Sequence, residues 1–154
     1  MANSLNIISA TLLAFSCAGV ASAAEGPVVI EDLSLKELRE EITKVQTEFY
    51  RVFNISNADD SLDIICHKYT PTMSHITQEA CEPQFLIDAR ALNVKNYQQR
   101  LDDLLTPEQL RADNQTGFQR LTEAMNEVMH SNDYFRELNG VLQMLRARER
   151  ELTE

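Results

Sequence analysis

Two side-chain types able to do chemistry crowd into one short segment. In CHKYTPTMSHITQEAC, Cys66 and Cys81 bracket His67 and His75, with Glu79 inside the bracket and Glu82 just outside it. A cysteine pair can form a structural bridge, exchange disulfides with a substrate, or hold a metal. Zinc in a structural site takes four ligands at close spacing, which one Cys-His step and a distant cysteine do not supply. A thioredoxin-like centre takes C-x-x-C beside a strand–helix unit, and that spacing is absent. A structural disulfide is therefore the default. The rivals are a working thiol pair at Cys66 and Cys81, and a metal carrier built on His67 and His75 with Glu79 or Glu82 as third ligand.

Other chemistry is sparse. Asn57, Asp59, Ser61 and Asp63 alternate like the first ligands of an EF-hand, but Leu62 stands where glycine is needed and Lys68 where the bidentate glutamate belongs. Capping of a helix end is the better use of those residues. There is no G-x-S-x-G, no H-E-x-x-H and no phosphate-cradling glycine loop. Acid pairs such as Glu40-Glu41 and Asp102-Asp103 mean little in an acidic chain. Two N-glycosylation sequons, at Asn54 and Asn114, matter only in a eukaryotic secretory route. The expectation is a non-catalytic protein with no cofactor.

A disulfide needs an oxidising compartment, and the first residues supply one. Ile7 to Val20 are uncharged and mostly apolar or small, and Ala21-Ser22-Ala23 has the A-x-A form that signal peptidases accept. The run is too short and too interrupted for a stable membrane span. Residues 1–23 thus read as a cleaved export signal, although no Lys or Arg precedes the apolar run. Cleavage removes Cys17 and leaves Cys66 and Cys81 as an even pair in a periplasmic or secreted protein.

Charge narrows the partners. The chain carries 14 Lys and Arg against 24 Asp and Glu, a net charge of −10. Nucleic acid and anionic membranes both require a basic face, so neither fits.

The elements that must position the cysteine segment are helical, and 24–154 has room for one domain. After a leader at 24–32, Ser34 opens a helix through an S-x-x-E capping box with Glu37. Leu35, Leu38, Ile42, Val45, Phe49 and Val52 follow at spacings of three and four, a seam on one face, widened by Tyr50 and Phe53. Residues 62–82 break the pattern: LDIIC is β-prone and Pro71 forbids a helix, which predicts a hairpin or a closed loop. From Pro83, residues Phe85, Leu86, Ala89, Leu92, Tyr97, Leu101, Leu104 and Leu105 keep roughly to one side. Thr106, Pro107 and Gln109 restart a helix. Further seams run through Phe118, Leu121, Met125 and Val128, then Phe135, Leu138, Leu142, Leu145 and Leu152, with a break at 130–133 capped by Ser131 or Asn132. Gly140 weakens the last helix. The fold class is mainly α, a small bundle of four or five helices with one disulfide-closed excursion.

If Cys66 faces Cys81 on antiparallel strands, Lys68 falls opposite Glu79, Thr70 opposite Thr77 and Tyr69 opposite Gln78. The turn then centres on Met73-Ser74, a poor two-residue turn, so a wider loop opened at Pro71 is expected. The segment DIICHKYTPTMSHITQEACEPQFL resembles one shared by uncharacterised exported proteins of gammaproteobacteria, in which C-x(n)-P-T-G-S-x-I-x(n)-C lies between helical regions. The matching residues are Cys66, Pro71, Thr72, Ser74, Ile76 and Cys81, with Met73 in the glycine position. The resemblance spans about 25 residues and implies no activity.

The functional expectation is an exported protein of the bacterial cell envelope that works by binding another protein, with Tyr69, Met73 and His75 near the loop tip as contact residues; the alternative is that the loop packs over the helix ends and hides Ile64, Ile65 and Ile76. A helical seam left open would instead take a partner helix or a second copy, making a homodimer.

Overall fold

The computed structural model describes residues 29–154. The export signal at 1–23 lies outside the described residues. The chain forms α1 (Leu35–Ser56), β1 (Ile64–Tyr69), β2 (Gln78–Pro83), α2 (Gln84–Gln98), α3 (Pro107–Asp113), α4 (Gln115–Ser131) and α5 (Asp133–Thr153). Short 3₁₀ turns at Ile30–Asp32 and Asp60–Leu62 precede α1 and β1. This is the mainly α bundle with one disulfide-closed hairpin that the seams and cysteines predict.

Helix α1 begins where its capping box says it should. The Ser34 hydroxyl accepts from the Glu37 amide, and the Glu37 carboxylate accepts from the Ser34 amide at 2.9 Å. None of the six seam residues from Leu35 to Val52 is exposed, and Leu38 and Val52 are buried. The helix most closely packed on α1 is the last one, α5, which runs back along it. Arg39 pairs with Glu149 at 2.8 Å near one end, and Asn132 donates to Ser56 at the other. Between them the rings of Phe49 and Phe135 stack with centroids 4.2 Å apart, and Phe53 lies against the same ring. Phe53 and Phe135 are fully buried; each such side chain contributes roughly 1.5–3 kcal/mol. Leu121 and Val128 of α4 and Leu62 and Ile64 from the segment after α1 complete the core.

The turns follow the local chemistry. Asn132 caps α5 by accepting from the Phe135 amide at 3.1 Å. Thr106 and Gln109 form a second capping box with Pro107 at the first helical position. Helix α5 continues through the charged tail to Thr153, where Leu152 is exposed.

The expectation for α2 needs correction. Of its predicted seam, Leu86 alone is fully buried, while Leu92, Tyr97, Leu101 and Leu104 are all more than half exposed. The helix stops at Gln98, so Leu101, Leu104 and Leu105 belong to the connection to α3. The stop is a Schellman motif: the Leu101 amide donates to Asn96 O and the Arg100 amide to Tyr97 O, both at 3.0 Å. Glycine usually holds the left-handed position of this motif. Here Arg100 does, at φ 57°, which is why composition did not announce it.

No helix among the described residues is long and apolar enough to cross a membrane.

Candidate functional site

The hairpin is fastened at its base and free at its tip. The side-chain amide of Asn54, near the end of α1, donates to Ile64 O at 2.9 Å and accepts from Ile64 N at 2.8 Å, so it pairs with β1 as a strand would. Gln84 N donates to Asp63 O at 2.9 Å and closes the far side. Ile64 itself is buried. Above this base β1 and β2 pair antiparallel in the predicted register: Cys66 faces Cys81, Lys68 faces Glu79 and Tyr69 faces Gln78. The two sulfurs are bonded at 2.13 Å. Lys68 and Glu79 are register partners without an ion pair. Tyr69 donates its hydroxyl to Gln78 Oε1 at 2.9 Å, and the Thr70 and Thr77 hydroxyls approach to 3.5 Å just beyond the strands.

The tip is a wide loop opened at Pro71. Ser74 N donates to Pro71 O at 3.0 Å, which makes Pro71–Ser74 a turn, and Met73 at its third position has φ 66°. That position favours glycine. The Ser74 hydroxyl then accepts from Ile76 N at 3.0 Å and shapes the return. Met73 is fully exposed, Ile76 is 71% exposed and Tyr69 is 41% exposed; His75 is exposed as well. Ile64 is thus hidden at the base of the hairpin, while Ile65 along the strand and Ile76 at the tip stay exposed. Of the three predicted contact residues, Met73 and His75 sit on the tip loop and Tyr69 at the strand end beneath it, tied across the ladder.

The remaining chemistry resolves into structural roles. Asp59 accepts from the amide and hydroxyl of Ser61, and Arg120 pairs with its other oxygen. Those hydrogen bonds from Ser61 hold the Asp59 carboxyl below its usual range, helped by the Arg120 charge. Asn57 Nδ2 donates to Asp63 Oδ1 at 2.9 Å and its Oδ1 accepts from Asp59 N. The alternating polar residues thus form a capping network at the end of α1. His67 lies 3.9 Å from one oxygen of Glu82, whose other oxygen receives Arg90 at 2.5 Å. Among the described residues no three His, Cys, Asp or Glu side chains converge as a metal site would require.

Two features escaped the sequence. One is the use of Asn54, visible only as a sequon, as a backbone mimic. The other is Asn93, buried in α2, which clamps Leu105 in the same way, donating to its carbonyl and accepting from its amide at 3.2 and 3.1 Å. Comparison with family models, curated proteins and solved structures finds no match for the chain.

Proposed function

We propose that this chain is an exported, non-catalytic protein of the bacterial cell envelope that binds another protein through the tip of its disulfide-closed hairpin, the helices serving as scaffold. One observation carries the reading: a hairpin anchored in the core at Ile64 and closed by the Cys66–Cys81 bridge holds Met73 and Ile76 in solvent. Apolar side chains on a covalently restrained loop lose little freedom when they dock, which favours recognition. The disulfide and the apolar run at 7–20 are both compatible with export.

The test has two stages. The chain lacking residues 1–23, immobilised and exposed to envelope extract, should retain a protein that then binds directly once purified. Replacing Tyr69, Met73 and His75 together by Ala should abolish that binding while the melting temperature stays nearly unchanged. If the triple variant unfolds, the loop is core and the reading fails. Two titratable thiols in the non-reduced protein would move the reading to thiol–disulfide exchange at Cys66 and Cys81.

A further inference from the structure

The apolar residues that α2 leaves uncovered sit beside a cleft. Leu92, Leu105 and Leu110 line it together with Asp102, Asp103 and Asp113, in a volume of about 510 Å³ between α2, the connection after it and α3. Asn93 fixes one wall through its clamp on Leu105. Leu92 in the cleft, Tyr97 and Leu101 in the neighbouring depression, and Leu104, in sequence between the lining residues Asp103 and Leu105, stay exposed. In most Schellman motifs the residue at the Leu101 position packs back on the helix; its counterpart here is Asn96, and Leu101 stays 66% exposed. Four large apolar side chains within thirteen residues make a patch of the kind that marks an interaction surface.

Charge indicates the occupant. Among the described residues no Lys or Arg lines this cleft and none of its three aspartates is in an ion pair; Asp102 accepts from the Asn96 side-chain amide. Arg100 lies in the neighbouring depression, which Asp102 and Asp103 also line, and it is ion-paired with neither. A second copy of a chain with net charge −10 would bring like charges together. We infer that this cleft takes an amphipathic segment of a partner protein, with an apolar side chain on the floor formed by Leu92, Leu105 and Leu110 and flanking Lys or Arg facing Asp102, Asp103 and Asp113. The surface is independent of the hairpin tip.

Fluorescence anisotropy on the full chain tests this with three labelled 14-residue peptides: Leu/Lys amphipathic, Leu/Glu amphipathic, and Lys/Ser with the charge of the first. The Leu/Lys peptide should bind, weakening as salt shortens the screening length below about 10 Å, and the other two should bind at least tenfold more weakly or not at all. Asp103→Asn with Asp113→Asn should weaken Leu/Lys binding roughly fivefold or more, and Leu92→Ser with Leu104→Ser should do likewise. Glu123→Gln with Glu137→Gln, on α4 and α5, and the hairpin-tip triple variant should leave it unchanged. Equal loss in the Glu123/Glu137 variant would reduce the effect to net charge and overturn the inference. So would Leu/Lys binding that survives both cleft variants, or a dimer in sedimentation that dissolves in Leu92→Ser with Leu104→Ser.

Discussion

Met73→Gly should stabilise the protein although it deletes an apolar side chain. Met73 holds φ 66° in the turn closed by the Ser74–Pro71 hydrogen bond and is fully exposed, so truncation forfeits no packing. An L-residue in the left-handed region costs about 1–2 kcal/mol. Glycine removes that cost but gives the unfolded chain more freedom, returning about 0.5–1 kcal/mol. The closed disulfide already restricts the unfolded loop, which places the return at the low end. The net gain is about 0.5–1.5 kcal/mol. The turn and its Ser74–Pro71 hydrogen bond belong to the folded state and are lost on unfolding, so relief of the turn enters global stability. For a domain of this size the gain is roughly 1–6 °C in melting temperature. Urea unfolding followed by helical circular dichroism, with the disulfide intact, should show a higher midpoint at unchanged slope. Met73→Ala is the control: it removes the same side chain but keeps the strained backbone, and should lie within a few tenths of a kcal/mol of the parent. Equal gains for Ala and Gly, or a loss for Gly, would refute the argument from backbone conformation.

Two helix glycines should respond to alanine with opposite signs. A Cβ on Gly117 would lie 2.7 Å from the Phe85 ring, so Gly117→Ala should destabilise by roughly 1–2 kcal/mol in urea unfolding; Gly140 has nothing within 4 Å, and Gly140→Ala should gain up to about 1 kcal/mol. Reducing the Cys66–Cys81 bridge, which closes 15 residues, should lower stability by roughly 3 kcal/mol while the helical spectrum persists at moderate temperature; thiol titration before reduction should find neither cysteine free. Hydrogen bonds from Ser34 to Glu37, from Arg51 to Glu48 and from Ser61 to Asp59 hold these three carboxyls below their ordinary values. Their stabilisation is complete above the unfolded values and lost as pH falls through the lower folded ones, so the urea midpoint should be flat from neutrality to about pH 5.5 and decline below, less steeply in Glu37→Gln.

Where a residue's role follows from a fixed spacing, the sequence is legible. The Ser34–Glu37 and Thr106–Gln109 caps, the α1 seam and the strand register all rest on fixed spacings, and all appear in the structure. The departures come from long-range or conformational causes. Asn54 and Asn93 act on backbone groups ten and twelve residues away, and nothing in their immediate context marks that use. Arg100 and Met73 occupy left-handed positions that sequence signals assign to glycine, so one helix end was missed and one turn was underspecified. The apolar residues of α2 and its connection read as core because their spacing suits one helical face, which the end of the helix at Gln98 interrupts.

The pairing of α1 with α5 has a consequence for biogenesis. Arg39 meets Glu149 across 110 residues of chain, and the ring that stacks on Phe49 belongs to α5, which is translated after the other described elements. At about 5–20 residues per second, the apolar face of α1 waits roughly 5 to 20 s for its cover. During that interval Leu38, Phe49 and Phe53 are available to any holdase, and a chain interrupted before Phe135 has no native way to shield them.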